Sequence, residues 1–374
     1  MTIFALFLLA CAWVYSLLAV VASLRYAAAS SLAPAKPFPI SILKPLAGFE
    51  PNLESNLRTF FGQDYPAFQL LFAVQETDDA AIPIVEKLKG EYPQISARLV
   101  VTGHPTYSNA KVYSLEQMLA AADNDLVVMS DSDTRVGPDL LRTVNAEFQD
   151  PKLGLATCPY RAVPGDSLWS RLEATGLNTD FMAGILVARM LEGMRFAVGP
   201  TIVARRSVLQ SFGGFPRLKD YLAEDFLMGQ FTASAGYGVA LSRYIIEHHI
   251  GNSDFRHNAA HRLRWVRSTR RSRPLGYLGQ FLTMPLPLAL LVCAIQPSWW
   301  LVLPFTLAMR GLTAYVVSAR TLKAKVRWLL LPLEDLAGFC FWVAGFFGST
   351  IIWRGRRYRL HPDGRFELLP PMGQ

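Results

Sequence analysis

Long apolar stretches toward both ends of the chain limit what it can fold into more than any other feature. Residues 1–24 and 275–296 carry no charge. A third stretch, 297–318, is interrupted only by Arg310, and a fourth covers residues 336–353. The first stretch is long enough to span a bilayer. Because residues 36–270 have the mixed composition of a globular domain, we predict a membrane protein with a globular central domain.

The distribution of basic residues predicts how this protein is oriented. The first basic residue after the N-terminal stretch is Arg25, and residues 262–273 contain six arginines and no acid. Because basic residues concentrate on the cytoplasmic side of membranes, we expect a cytoplasmic central domain behind an uncleaved anchor. The basic segments 320–327 and 354–359 should both face the cytoplasm, which predicts that residues 329–353 are re-entrant or interfacial.

The net charge of +8 suits a membrane protein that binds anions, whereas a nucleic-acid-binding protein would not need the apolar stretches.

A predicted strand that ends in two carboxylates is the main signal of chemistry. Residues 126–129 are apolar and mostly branched, as in a buried central strand, and Asp131-Ser132-Asp133 follow. Open α/β sheets bind ligands at the carboxyl ends of their strands. Two oxygen ligands there suit Mg²⁺ or Mn²⁺, and such a cation suits a diphosphate. The alternative is a turn or a helix cap, where Ser and Asp are also common.

Strands and helices alternate along the first half of the central domain, which predicts a mostly parallel α/β sheet. Three successive strand ends carry polar residues, namely Lys44, the pair Asp78 and Asp79, and the Asp131 motif. There is no glycine-rich phosphate-binding motif. We therefore expect a metal ion and basic side chains to hold the diphosphate. Lys111, at the start of a predicted helix, is one such basic residue.

Three further clusters in the second half of the domain each allow two interpretations. Glu224 and Asp225 begin a predicted helix, where they either complement the helix dipole or include a catalytic carboxylate. His248 and His249 would point to opposite faces of a strand, so we interpret them as polar strand-end residues and not as a metal site. The arginines of 262–273 form a collar against anionic lipid or contribute to binding the diphosphate.

These motifs together resemble the ceramide glucosyltransferase family, which is related to the processive family-two glycosyltransferases, and its bacterial neighbours, the hopanoid-associated glycosyltransferases. The resemblance extends over about residues 43–360. The matching pieces include Leu43-Lys44-Pro-Leu-x-Gly48, Val74-Gln-x-x-Asp78-Asp79, Asp131-Ser, Ala223-Glu224-Asp225, Arg264-Trp265 and Tyr358-Arg359-Leu360.

The resemblance implies a glycosyltransferase A fold, which is Rossmann-like, and a role for each motif. Asp79 contacts uridine, Asp131 binds the metal and the diphosphate with help from Asp133, and Asp225 is the catalytic base. Arg264 and Trp265 are also catalytic and bind the donor. His261 stands where the family motif has Arg or Gln, and it is assigned to donor binding as well. The predicted donor site is completed by Lys44 and Lys111.

The implied activity is that of an inverting hexosyltransferase that depends on a UDP-sugar and on Mg²⁺ or Mn²⁺. It would move glucose or N-acetylglucosamine to a hydroxyl of a lipid, either ceramide or a hopanoid polyol. The histidine that animal members carry near residues 178–182 is absent here, so an acceptor other than sphingolipid, a hopanoid polyol or diacylglycerol, is open. Its location would be the cytoplasmic face of a bacterial inner membrane. Two alternatives remain open: a processive polysaccharide synthase, and a non-catalytic membrane protein that binds anionic lipid.

The predicted domains follow the chain in order. Residues 1–25 form the transmembrane anchor, 36–270 the catalytic domain, 275–355 the C-terminal transmembrane or interfacial helices, and 356–374 a cytoplasmic tail.

Overall fold

The computed structural model describes residues 2–29, 33 and 35–370, which pack into two compact units. The sheet unit consists of residues 33, 35–160 and 194–249. The helical unit consists of residues 2–29, 161–193 and 250–370. The predicted domain 36–270 therefore contributes to both units, and the linear division into four domains stays a prediction.

The strands are numbered in chain order. They are β1 (Ile40–Pro45), β2 (Phe68–Val74), β3 (Ser96–Val101), β4 (Leu126–Ser130), β5 (Thr134–Arg135), β6 (Leu153–Thr157), β7 (Tyr160–Pro164), β8 (Thr201–Arg205), β9 (Gly238–Leu241), β10 (Ile246–Ile250), β11 (Thr350–Trp353), β12 (Arg356–Leu360) and β13 (Phe366–Leu368).

The α-helices are numbered in the same way. They are α1 (Thr2–Ala27), α2 (Leu53–Phe61), α3 (Ile82–Glu91), α4 (Ala110–Ala121), α5 (Leu140–Glu147), α6 (Leu168–Gly176), α7 (Met182–Glu192), α8 (Arg206–Ser211), α9 (Glu224–Ser234), α10 (Phe255–Ser272), α11 (Pro274–Gly279), α12 (Pro285–Ile295), α13 (Val302–Ala314) and α14 (Leu331–Ala344). Two π-helical segments follow α6 and α13, at Leu177–Phe181 and Tyr315–Thr321.

The sheet unit is built on a seven-stranded sheet with the order β3-β2-β1-β4-β8-β6-β9. Strands β1 to β4 run parallel to one another, whereas β8 runs antiparallel to both β4 and β6. Because β1 and β4 are adjacent and parallel, their carboxyl ends lie side by side. This is the edge where α/β sheets of this kind bind ligands, and Lys44 and Asp131 both lie there. The predicted α/β fold is confirmed.

The interior of the sheet unit explains why β4 forms where the sequence predicts it. All five residues of β4 are buried. Val127 and Met129 belong to an apolar cluster that includes Leu43 of β1 and Leu115 and Met118 of α4. A strand covered on both faces requires such a continuous apolar run, and the run ends where polar residues reach the edge of the sheet.

The helical unit contains two helices that are long and apolar enough to cross a membrane, Thr2–Ala27 and Pro297–Thr321. Segments Pro274–Thr283 and Pro285–Ile295 meet the same criteria together but are bent by 61°. Within this unit, α1 packs against α12 through Leu9, Ala12 and Leu288. Pro285, the first residue of the second segment, accounts for the bend, because proline cannot continue the hydrogen bonding of a preceding helix.

The fourth apolar stretch of the sequence does not form one long helix. Helix α14 ends at Ala344, and residues 350–353 form strand β11 of an antiparallel three-stranded sheet, β11-β12-β13. Gly348, at φ 77°, lies between the two elements, a conformation that glycine adopts readily. With 14 residues, α14 is shorter than the roughly 20 that a span requires, and the interfacial topology of 329–353 stays a prediction.

Candidate active site

The loop after β4 presents the two carboxylates of the Asp-x-Asp motif at the edge of the sheet. Its backbone is held from several sides. The Nζ of Lys44 donates to the carbonyl of Asp131 and, at 3.1 Å, to Thr134 Oγ1. The Thr134 hydroxyl donates to the same carbonyl at 2.7 Å, and Asn56 Nδ2 donates to the Ser132 carbonyl at 3.1 Å. The carboxylates therefore project from a well-anchored turn.

Lys44 lies beneath this loop with no exposed surface. Its ammonium is 3.8 Å from the centre of the Phe60 ring. Burial lowers the pKa of Lys44 to about 7, against the opposing effect of Asp131 and Asp133. In this structure Lys44 is a positioning residue for the Asp131 loop, and its predicted contact with the donor stays a prediction.

Lys111 connects the two acidic groups of the site. Helix α4 begins beside it, where the Asn109 side chain accepts a hydrogen bond from the Val112 amide at 3.2 Å. The Nζ of Lys111 lies 2.7 Å from Asp131 Oδ1 and 3.2 Å from Glu224 Oε1. Burial opposes its charge, but Asp131 and Glu224 together raise its pKa above the ordinary value. Lys111 is therefore a fixed positive charge between β4 and α9.

Asp225, in the first turn of α9, has the properties of a general base. Its Oδ1 accepts a hydrogen bond from the Phe226 amide at 2.7 Å. Desolvation and the neighbouring Glu224 carboxylate raise the pKa of Asp225 to about 7, although Lys111 acts in the opposite direction. A base is most effective when its pKa is near the working pH. The predicted catalytic role of Asp225 has this electrostatic support, and it stays a prediction.

Gly199 leaves the space that the Asp225 side chain occupies. A Cβ atom at this position would lie 3.0 Å from Asp225 Oδ2, closer than an ordinary van der Waals contact. We expect Gly199→Ala to displace the carboxylate and lower activity at least about tenfold, since small misplacements of catalytic groups are costly. Gly90→Ala in α3 is the matched control, because nothing lies within 4 Å of its added Cβ. Equal activity of the two variants would contradict this packing.

Asp133 is paired with a histidine that the sequence analysis did not assign to the site. Strand β10 pairs with β5 so that His248 is opposite Thr134, and His248 Nε2 lies 3.1 Å from Asp133 Oδ2. His249 instead contacts Glu247, at 2.9 Å. Although burial opposes its charge, Asp133 has a pKa of about 2 because His248 and Lys44 stabilise the carboxylate. The side chains of the two histidines contact different partners, as the alternation of side chains along a strand predicts. His248, however, contacts Asp133 and therefore lies in the site, which the sequence analysis did not expect.

The donor atoms of this loop fit a divalent cation that prefers oxygen. Asp133 Oδ1 is buried and has no hydrogen-bond partner among the described residues, an arrangement that costs free energy unless a cation compensates it. Within residues 2–29, 33 and 35–370, no three His, Cys, Asp or Glu side chains form a ready metal cluster. A cation here would therefore take its remaining ligands from water and phosphate oxygens, as Mg²⁺ commonly does.

Asp79 organises the loop after β1. Its Oδ2 accepts a hydrogen bond from the Gly48 amide at 2.9 Å, and its Oδ1 accepts one from the Ala81 amide at 2.8 Å. The carboxylate therefore connects the loops that follow β1 and β2. Its contact with uridine stays a prediction.

His261, Arg264 and Trp265 belong to the helical unit and lie on one side of α10, as their spacing of three and four residues requires. His261 Nδ1 is 2.7 Å from Glu173 Oε1, and its ring centre is 5.1 Å from that of Trp265. The Arg264 guanidinium lies 6.0 Å from the centre of the Trp353 ring. The donor binding of all three residues, and the catalytic role of Arg264 and Trp265, stay predictions.

Comparison with known proteins identifies the family. Residues 3–366 match the sequence model of glycosyl transferase family 21. Ceramide glucosyltransferase 1 of Caenorhabditis elegans is 30% identical over 207 residues, covering 55% of this chain and 44% of that protein. The chain thus aligns with less than half the length of that relative. Ceramide glucosyltransferase 3 of the same organism is 24% identical over 348 residues, covering 89% of this chain and 74% of the relative.

A solved structure supports the fold independently. The mannosyltransferase PcManGT from Pyrobaculum calidifontis, determined in complex with GDP-Man and Mn²⁺, has a TM-score of 0.55 at 17% identity, covering 92% of this chain and 97% of that one. At this identity the match informs on fold alone, and it confirms the predicted glycosyltransferase A-like architecture. The family match covers nearly all of the sequence. The chain belongs to glycosyl transferase family 21.

Proposed function

We propose that this chain transfers a sugar from a UDP-sugar to a hydroxyl group of a membrane lipid, with inversion at the anomeric carbon. The observation that carries the proposal is the convergence of Asp131, Lys111, Glu224 and Asp225 at one edge of the sheet. Ion pairs alone also occur in structural sites. This cluster adds a carboxylate whose pKa is raised to about 7, and perturbed groups of this kind are concentrated in catalytic sites.

In the proposed mechanism Asp225 removes the proton from the acceptor hydroxyl as its oxygen attacks the anomeric carbon. One displacement inverts the configuration, so an α-linked donor yields a β-glycoside. The raised pKa means that Asp225 is a stronger base than an ordinary carboxylate and that about half of it is ionised at neutral pH. Glu224 contributes by repulsion to this pKa and by holding Lys111.

The negative charge that develops on the departing diphosphate is the main electrostatic demand of the reaction. Asp131 and Asp133 would hold Mg²⁺ or Mn²⁺ there, and the cation when bound would supply positive charge to the leaving group. Lys111 adds a second positive charge beside Asp131. We assign Arg264, Trp265 and His261 to the same donor, since a guanidinium binds phosphate oxygens in a bidentate manner.

The apolar helices and the names of the relatives together favour a lipid acceptor. Among the residues that the structure describes, two helices are long and apolar enough to cross a membrane, and both Caenorhabditis elegans relatives are called ceramide glucosyltransferases. We therefore propose that glucose or N-acetylglucosamine is transferred to ceramide or to a hopanoid polyol. The reaction would take place at the cytoplasmic face of a bacterial inner membrane, where a water-soluble donor meets a lipid acceptor.

Product mass tests this function. The purified full-length protein in lipid vesicles receives UDP-glucose, UDP-N-acetylglucosamine or UDP-galactose, with Mg²⁺ or Mn²⁺ and a total lipid extract. We expect one donor to yield a lipid whose mass has increased by a single sugar. A growing polysaccharide would instead indicate a processive synthase. The absence of both turnover and binding with every UDP-sugar would contradict the enzymatic proposal.

A further inference from the structure

An open cavity in the helical unit, separate from the residues assigned above, is lined by positive charge. It has a volume of about 570 Å³, and its lining includes Arg270, Arg271 and Ser349, together with Pro274, Phe346 and Pro362. No acidic residue contributes to the lining. Its volume is in the range of ordinary small-molecule sites, and its charge favours an anionic ligand.

The two arginines differ in how much of their hydrogen-bonding capacity the protein uses. Arg270 donates to the carbonyl of Phe346 and, at 3.2 Å, to that of Gly348, so it supports the wall of the cavity. Arg271 makes no hydrogen bond or ion pair with any part of the chain that the structure describes. The Nε atoms of both arginines are buried without a partner there.

Unpaired Nε donors on two adjacent, half-buried arginines are unfavourable. Like-charge repulsion adds to this cost, since burial and then the neighbouring Arg271 lower the pKa of Arg270. An anion with several acceptor oxygens in the cavity would pair with both guanidinium groups and offset their repulsion. A phosphate group has these properties, and the Ser349 hydroxyl is available in the lining as a further donor.

Apolar side chains beside the cavity indicate that the anion is the headgroup of a lipid. Leu275, next to Pro274, is 82% exposed, and Phe347, next to Phe346, is 68% exposed. The bent candidate membrane segment begins at Pro274, in the cavity wall itself. Exposed apolar side chains would add nothing to the binding of a free phosphate or nucleotide. A phospholipid has both a phosphate for the arginines and hydrocarbon for the apolar side chains.

We propose that this cavity binds the phosphate of an anionic membrane phospholipid through Arg270, Arg271 and Ser349. The bound lipid would stabilise the junction between α10 and the membrane segment that starts at Pro274. This site is independent of sugar transfer, so its test requires no active enzyme.

The test uses delipidated full-length protein in a neutral detergent. Short-chain phosphatidylglycerol, phosphatidylcholine of the same chain length and inorganic phosphate are added separately. Thermal unfolding and native mass spectrometry then report stabilisation and the number of bound lipids. We expect phosphatidylglycerol to raise Tm in a concentration-dependent manner and to remain bound, and the other two ligands to have much smaller effects.

Variants of two arginines on α10 provide the specificity control. Arg271→Gln should weaken phosphatidylglycerol binding about tenfold or more, the range expected for losing a charge-assisted hydrogen bond. Arg271→Lys should retain part of the affinity, because it keeps the charge but loses the planar fork. Arg256→Gln, an exposed arginine near the start of α10, should bind like the wild type.

Three results would each overturn the proposal. They are equal stabilisation by phosphatidylcholine and phosphatidylglycerol, stabilisation by free phosphate that matches the lipid, and equal lipid affinity of the Arg271 and Arg256 variants. If Arg271→Gln does not fold, Arg271→Lys against Arg256→Lys gives the same comparison.

Discussion

Replacement of Asp225 by Asn is expected to lower the rate of sugar transfer by about 10²–10⁴, the usual contribution of a general base. Asn has nearly the same shape but cannot accept the proton from the acceptor hydroxyl. Because Asp225 does not bind the metal or the diphosphate in our proposal, donor affinity should change little. The measurement compares the turnover rate and the UDP-sugar affinity of the variant with those of the wild type. A variant that binds donor normally and still turns over at the wild-type rate would eliminate Asp225 as the base.

The pH dependence of the same reaction gives a second signature. Since the pKa of Asp225 is raised to about 7, the wild-type rate should rise with pH through an inflection at about pH 7 and level off above it, as the base becomes fully ionised. Residual activity of Asp225→Asn should lack this inflection.

Asp225→Asn should raise the thermal stability of the protein at pH 8, although it lowers the activity. A carboxyl whose pKa is higher in the folded than in the unfolded state binds more protons when folded, so its contribution to stability falls as pH rises from its ordinary pKa to about 7. Above pH 7 the wild type keeps a buried carboxylate beside Glu224, and Asn removes this cost. Asp225→Asn should therefore unfold at a higher temperature than the wild type at pH 8. A lower Tm would show that any loss of activity reflects damage to the fold.

Replacement of His248 by Asn is expected to weaken Mn²⁺ binding by about 10–100-fold, as for the loss of groups that orient metal ligands. His248 contacts Asp133, whose second oxygen is buried without a partner among the described residues. The measurement is the Mn²⁺ concentration required for UDP binding and for transfer.

The neighbouring histidine provides a matched control for this prediction. His249 lies on the same strand but pairs with Glu247, so His249→Asn removes an equivalent ring from the opposite face. It should leave the Mn²⁺ requirement unchanged. If both variants, or neither, alter the requirement, the metal site at Asp133 is not supported.

Features that depend on local patterns could be predicted from the sequence. The apolar run before Asp131 forms β4, and the acidic pair Glu224-Asp225 begins α9, because strand burial and helix starts are encoded in a few adjacent residues. The apolar stretch 336–353 shows the limit of composition. Gly345 and Gly348 lie between the end of helix α14 and the start of strand β11. Two glycines so close together are a signal in the sequence that the helix ends there.

Features that depend on distant contacts could not be predicted in this way. Lys44 has the same local sequence whether it faces a donor or lies beneath a loop, and its position follows from packing against Phe60. His248 meets Asp133 only through the register of β10 on β5, which joins segments more than 100 residues apart. The interleaving of segments 161–193 and 250–370 in one compact unit likewise depends on long-range packing.

The most direct test of single-displacement transfer to lipid is the anomeric configuration of the product. The glycolipid formed by the wild type from an α-linked UDP-sugar is purified, and proton NMR of its sugar determines the configuration. Our account predicts a β-glycoside carrying one sugar per lipid. An α-glycoside would contradict the direct attack assisted by Asp225, and the absence of any glycolipid with every UDP-sugar would contradict the proposed function itself.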